Sequence, residues 1–256
     1  MKAFGVGLLW LLAGIFALAV VTVGSLGICA LAVDKNRNYD THSRFYRTLL
    51  NGATAFSVWL LGIDLHCEGL EKLPEGRFLL VGNHRSNFDP ILTWYAMPDR
   101  ELAFLSKEEN FKIPIFGRII RKCCFLPIDR QDPRKTIGTI NQAAELLRRD
   151  QVSVAVYPEG TRSRECALLP FQNGVFKIAK KAEVPVVVVA IRGTEEIHKN
   201  YFRRHSQVNL EIVEILPAAY IAETRTTEIG QRVRAALETA LTARKEGSNE
   251  TLHHSL

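Results

Sequence analysis

The chain has 256 residues, 47% apolar and 23% charged, which suits one domain with some extra and excludes a disordered polymer. Its 33 Lys+Arg against 27 Asp+Glu leave a net charge of +6, a balance that fits anionic partners such as a membrane surface or a phosphorylated small molecule, and no block of consecutive basic residues points to nucleic acid. Cys29, Cys67, Cys123, Cys124 and Cys166 lack the spacing of a disulfide framework or a zinc site, and the glycine-rich nucleotide loops and the Gly-x-Ser-x-Gly elbow are missing.

From Ala3 to Val33 there is no charged residue. As one helix this run of 31 residues would measure about 46 Å, against about 30 Å of bilayer hydrocarbon, so it is expected to span or re-enter a membrane. Gly24, Ser25 and Gly27 sit where a break would fall. Lys35, Arg37, Arg44 and Arg47 outweigh Lys2 and the amino terminus, which places the rest of the chain on the cytoplasmic side. The run is too long for a signal-peptide core, although Ala30-Leu31-Ala32 resembles a cleavage site. The uncharged stretch from Thr48 to Ile63 reads as an interfacial helix, with a core helix as the alternative.

Beyond it, strands alternate with helices. Phe78–Val81 reads as a buried strand, followed by a helix opened by Asp89-Pro90, strands over Glu101–Leu105 and Phe125–Ile128, and a helix begun by Asp132-Pro133. Val152, Val154 and Val156 mark another strand, and Phe171–Glu183 a helix. Val186–Ile191, almost purely β-branched, suits a strand covered on both faces. A strand over Leu210–Leu216 and an amphipathic helix through Ile229, Val233, Leu237 and Leu241 close the chain, and the polar residues from Glu246 are expected to be disordered. The pattern predicts an α/β layered domain.

Two strand-end loops carry chemistry. In Asn83-His84-Arg85-Ser86-Asn87-Phe88-Asp89, one turn can bring the Asp89 carboxylate to one imidazole nitrogen of His84, leaving the other free as a base. In Tyr157-Pro158-Glu159-Gly160-Thr161-Arg162-Ser163, Gly160 permits close backbone approach, Arg162 offers a planar cationic fork, and Thr161 and Ser163 add hydroxyls. Ile128-Asp129-Arg130 is a third charged cluster after an apolar strand. Between Arg100 and Lys135, nine Lys/Arg face five Asp/Glu, an excess that could steer anions or simply be a solvated basic face.

Taken together these blocks resemble the 1-acylglycerol-3-phosphate acyltransferase family of glycerolipid acyltransferases. His84 and Asp89 match its His-x-x-x-x-Asp motif; Lys107, Pro114 and Gly117 its Lys-Pro-Gly segment; Ile128-Asp129-Arg130 its second block; Glu159 to Ser163 its third; Val184-Pro185-Val186-Val187-Val188 its fourth. The sequence departs from the family's usual pattern at Phe171-Gln172-Asn173-Gly174, at Arg164-Glu165-Cys166 and at Leu126-Pro127. The resemblance covers roughly residues 67 to 217 and implies an acyltransferase-like α/β domain; with the readings above, the chain divides into an anchor over 1–33, a basic linker with interfacial helix over 34–66, that domain over 67–245 and a disordered tail over 246–256. It implies transfer of a fatty acyl group from acyl-CoA or acyl-carrier protein to lysophosphatidic acid, beside membrane phospholipids, with no metal or other cofactor. His84 and Asp89 would be catalytic; Arg130, Glu159, Gly160, Thr161, Arg162 and Lys107 would bind substrate. Another lysophospholipid or glycerol 3-phosphate as acceptor, or a non-catalytic lipid-binding role, are the alternatives.

Overall fold

The computed structural model describes residues 2–129, 132–163, 165 and 167–253. Arg130 and Cys166 therefore lie outside the described residues. Helix α1 (Lys2–Leu31) is a single helix of 30 residues, without the break expected at Gly24, Ser25 and Gly27. A glycine inside a helix costs only about 1 kcal/mol relative to alanine, which is too little to interrupt a long helix-compatible run. The orphan carbonyls at its end have partners: the Arg118 guanidinium donates to Ala30 O at 3.2 Å and Val33 O at 2.9 Å, and the Tyr46 hydroxyl to Cys29 O at 2.7 Å. Many side chains of α1 lie outside the described set, and among the described residues no helix is long and apolar enough to cross a membrane.

Helix α2 (Arg44–Leu61) has two apolar faces. Tyr46, Leu50, Thr54 and Val58, four apart, are buried against the domain, while Phe45, Phe56, Trp59 and Leu60 stand exposed. Arg47 does not belong to the basic flank expected from the sequence. It is buried, and donates to the carbonyls of Leu102 at 3.0 Å, Glu101 at 3.0 Å and Cys123 at 3.2 Å. The helix stops at Gly62 in the left-handed region (φ 61°), where a Cβ would come within 1.9 Å of the Arg204 carbonyl oxygen.

Seven strands follow: β1 (Ile63–Glu68), β2 (Leu79–Gly82), β3 (Leu102–Lys107), β4 (Leu126–Ile128), β5 (Ser153–Val156), β6 (Val186–Arg192) and β7 (Ser206–Leu216). They form one sheet in the order β1-β7-β6-β2-β5-β3-β4, parallel throughout except between β6 and β7. β1 was not foreseen: residues 63–66 join the sheet rather than the linker. As an edge strand it alternates apolar with polar residues, in contrast to β6, whose Val186–Ile191 are all buried.

Helices α3 (Phe88–Ala96), α4 (Phe116–Lys122), α5 (Pro133–Arg148), α6 (Lys177–Ala182), α7 (Ala218–Glu223) and α8 (Thr226–His253) complete the fold. The Asp132 carboxylate caps α5 by accepting from the N–H groups of Arg134 and Lys135, with Pro133 in the first turn. The helix expected over Phe171–Glu183 is shorter. The Gln172 N–H is drawn to Pro158 O at 2.8 Å, so Phe171-Gln172 stays outside a 3₁₀ turn (Asn173–Phe176) that leads into α6. Buried Ile229, Val233, Leu237 and Leu241 dock α8, whose backbone remains helical past Glu246, the start of the expected disordered tail, to His253.

Candidate active site

β2, β5 and β6 are adjacent and parallel, so the loops that follow them leave one edge of the sheet side by side. The buried Asn83 amide fixes this edge, donating to Ile191 O at 2.9 Å and accepting from Ile191 N–H at 2.8 Å. One residue on, His84 Nδ1 lies 2.8 Å from Asp89 Oδ2. That oxygen also accepts from the N–H groups of Arg85 and Ser86, both at 2.7 Å, while Oδ1 accepts from the Thr194 hydroxyl. Asp89 is fully buried, and an ionised carboxylate can only accept. His84 Nδ1 must therefore carry the proton, which leaves Nε2 as the basic nitrogen.

The imidazole stacks on the Tyr157 ring, centroids 4.6 Å apart and 17° between planes. The phenol of Tyr157 lies 3.2 Å from the Thr93 hydroxyl, and burial pushes its pKa well above the ordinary value, so it is a neutral platform.

Glu159 binds the two loops together. Oε1 accepts from His84 N–H at 2.7 Å and Oε2 from Leu169 N–H at 2.9 Å, while Ser163 N–H donates to His84 O at 2.9 Å. Burial raises the Glu159 pKa, against the pull of those two donors. With both oxygens engaged by backbone, Glu159 clamps and shapes the loop that carries Arg162. Gly160 makes the turn in the left-handed region (φ 73°), its N–H on Tyr157 O at 3.0 Å.

A cavity of about 570 Å³ opens onto His84. Its walls are mainly apolar, with Leu50, Ala53 and Thr54 of α2, Ile91 and Trp94 of α3, and Phe104 of β3. Arg162, Thr161 and Lys107 line the same cavity, and the side chains of all three are exposed. Arg162 forms no ion pair among the described residues. A smaller cavity of about 350 Å³ lies beyond the Glu159 loop against Ile128, Ile140 and Val175, and shares Tyr157 and Thr161 with the first. Among the described residues no group of three or more His, Cys, Asp or Glu could hold a metal ion.

The Lys107…Pro114…Gly117 segment shapes the rim. Phe116 N–H closes on Pro114 O at 2.7 Å, a γ-turn that forces the β-branched Ile115 to φ 64°, ψ −66° and sets Phe116 on the cavity wall. Gly117 lets this turn lie on the preceding one: a Cβ there would sit 2.4 Å from Phe111 O.

The structure thus brings His84, Asp89, Lys107, Glu159, Gly160, Thr161 and Arg162 to one sheet edge. Sequence reasoning missed Thr194, the Tyr157 platform and the wall built by α2. The one available signal was Gly193-Thr194-Glu195, a polar turn directly after the most buried strand.

An α/β sheet with a His held by a buried Asp at its edge, clamped to a glycine turn beside an apolar cavity, defines a class that comparison with known proteins identifies. A family model described as Acyltransferase matches residues 64–192, half the chain, and the chain belongs to that family. The 1-acyl-sn-glycerol-3-phosphate acyltransferase of Escherichia coli (strain K12) is 30% identical over 183 residues, covering 70% of this chain and 73% of that protein. The chloroplastic 1-acyl-sn-glycerol-3-phosphate acyltransferase BAT2 of Brassica napus is 37% identical over 132 residues, 51% of this chain and 38% of its own length. The match thus spans well under half of that plant relative. The crystal structure of the 1-acyl-sn-glycerophosphate (LPA) acyltransferase PlsC from Thermotoga maritima superposes with a TM-score of 0.65 at 27% identity, covering 78% of this chain and 79% of that one.

Proposed function

We propose that the protein transfers a fatty acyl group from a thioester, acyl-CoA or acyl-carrier protein, to the free sn-2 hydroxyl of 1-acylglycerol 3-phosphate, giving phosphatidic acid. The observation that carries this reading is His84 itself: Nδ1 is held by a buried carboxylate, so Nε2 is the basic nitrogen of a residue that lines an apolar cavity also lined by Arg162 and Lys107. In this scheme Nε2 takes the hydroxyl proton as the oxygen attacks the thioester carbonyl carbon. The tetrahedral intermediate collapses, the C–S bond breaks, and the imidazolium returns its proton to the departing thiolate. Asp89 stabilises the imidazolium, and such positioned acid–base catalysis contributes about 10²–10⁴ in rate.

Arg162 and Lys107 are assigned to the acceptor phosphate, a group the guanidinium fork suits geometrically. Arg130 keeps its assignment as a further anion contact on resemblance alone. The relatives named as acting on 1-acylglycerol 3-phosphate favour that acceptor over glycerol 3-phosphate or another lysophospholipid. The intact His84–Asp89 pair speaks against a non-catalytic lipid binder.

A lipid acceptor gives the N-terminal segment a purpose. We assign α1 as the membrane anchor on the uncharged run from Ala3 to Val33, most of which it holds, and on its unbroken helix, with α2 in the interface through Phe45, Phe56, Trp59 and Leu60. Lys35, Arg37 and Arg44 still outweigh Lys2, so the catalytic domain is placed on the cytoplasmic face of the cell membrane. The test is free-thiol release from acyl-CoA or acyl-carrier protein over a panel of acceptors. Lysophosphatidic acid should be the preferred acceptor and His84→Ala inactive yet folded; a folded His84→Ala protein with ordinary turnover overturns the mechanism.

A further inference from the structure

Residues 200–205, which lead into β7, form a tight turn whose tip is apolar. The Asn200 carbonyl accepts from the N–H groups of Arg203 at 3.0 Å and Arg204 at 2.9 Å, and these two bonds hold the backbone on either side of Phe202. Phe202 is wholly exposed (101%) and Tyr201 is 44% exposed. The turn is fixed on both sides. The Arg204 guanidinium lies 5.5 Å from the Trp59 ring centroid and donates to Trp59 O at 3.3 Å, and the Tyr201 ring meets Phe88 edge-on at 6.3 Å. Phe88 follows Asn87, which lines the His84 cavity.

Single exposed apolar residues are ordinary on soluble surfaces. Phe202 differs because the exposed face of α2, with Phe56, Trp59 and Leu60, continues through Arg204 into the turn. It also stands directly before Arg203 and Arg204, and neither arginine forms an ion pair among the described residues. Aromatic side chains beside cations complement one partner well: an anionic bilayer surface, where aromatics settle at headgroup depth and guanidinium groups meet phosphates.

We propose that this turn is a second membrane contact, with Phe202 entering the headgroup region of an anionic leaflet and Arg203 and Arg204 on its phosphates. This rests on the reading that the acceptor lies in a bilayer. α1 leaves the domain beside Tyr46, at the start of α2, whereas the turn sits beside Trp59 near its end. Thirteen residues of helix separate the two, about 20 Å. A tether alone lets the domain swivel; contacts at both ends of α2 hold the cavity mouth against the leaflet.

The experiment places tryptophan at the tip, Phe202→Trp, in the full chain reconstituted into vesicles of phosphatidylglycerol and phosphatidylcholine, with Glu75→Trp, exposed ahead of β2, as the comparison. The added emission, measured against the unsubstituted protein, should be quenched by brominated acyl chains and protected from aqueous iodide at position 202, and the reverse at 75. Arg203→Ala should raise the apparent KM for acceptor embedded in anionic vesicles about fivefold, and leave that for a short-chain water-soluble acceptor unchanged. Iodide quenching at position 202 in vesicle-bound protein overturns the proposal. So does protection from both quenchers, which would put a protein partner on the turn. Fluorescence reports the contact whether or not the enzyme turns over, so failure here is distinct from failure of the proposed activity.

Discussion

Thr194→Val removes one hydroxyl from the buried end of the site and keeps the side-chain shape. Thr194 and Asp89 are both fully buried, so no water replaces the lost donor. Of the hydrogen bonds to Asp89, Oδ2 keeps those from His84, Arg85 and Ser86, while Oδ1 loses the one from Thr194. A hydrogen bond to a charged group is worth about 1.5–3 kcal/mol, and the carboxylate loses that much of what holds it aligned on His84. Through the imidazolium, the barrier should rise by the smaller part of that figure, about a tenfold fall in kcat. Acceptor KM should hardly move, because the residues assigned to the phosphate are untouched. Thr194→Ser restores the hydroxyl and should restore kcat. Thiol release resolved into kcat and KM, beside a thermal unfolding curve, checks this. A Thr194→Val enzyme with ordinary kcat refutes the reasoning, and so does a Ser variant as impaired as Val at equal stability.

Arg162→Ala should raise acceptor KM about ten- to more than a hundredfold, with donor KM little changed, as loss of a charge-assisted contact predicts; a change confined to donor kinetics would move Arg162 to the donor's phosphates. Transfer should be direct: burial holds the thiols of Cys123 and Cys124 up at about 12, far from a reactive thiolate, and Ser86 Oγ accepts from Phe88 N–H at 3.3 Å. Replacing Ser86 and all five cysteines with Ala should therefore preserve activity, and acid-quenched protein should carry no acyl label. His42, whose Nδ1 lies 2.9 Å from Gln151 O, has its pKa lowered chiefly by burial. The unfolded chain then takes up the proton first, so stability is complete above an unfolded pKa of about 6.5 and falls as pH drops through the lower folded value. Unfolding curves from pH 7.5 to 5 should show a steeper loss in the unsubstituted protein than in His42→Gln.

What could be read from the sequence was whatever is local. The β-branched run at Val186–Ile191 announced a strand covered on both faces, Asp132-Pro133 the start of α5, and His84 with Asp89 a pairing that needs only one turn of chain. The losses came where distant segments decide. β1 was absorbed into the preceding uncharged stretch, although Ile63-Asp64-Leu65-His66 alternates, because an edge strand acquires meaning only from β7, some 140 residues on. Arg47 looked like a membrane-flanking cation until the carbonyls of Glu101, Leu102 and Cys123 were seen around it. Thr194 offered no more than a polar turn after a buried strand, since its role exists only once β6 lies beside β2.

The Glu159 clamp also has a temporal consequence. Backbone and side-chain bonds tie residue 84 to residues 159 and 163, and residue 89 to residue 194. A ribosome that has delivered the His84 loop through Asp89 has made only the local Asp89 bonds and none of the remote ones that hold it, and strand pairings this remote in sequence close late in folding. The nascent chain completes its first helix at residue 31 long before it can be a catalyst, because the remote bonds to its base wait until β6 has emerged. A chain broken anywhere before Thr194 lacks the hydroxyl that bonds Asp89 Oδ1, and so is released without a finished site.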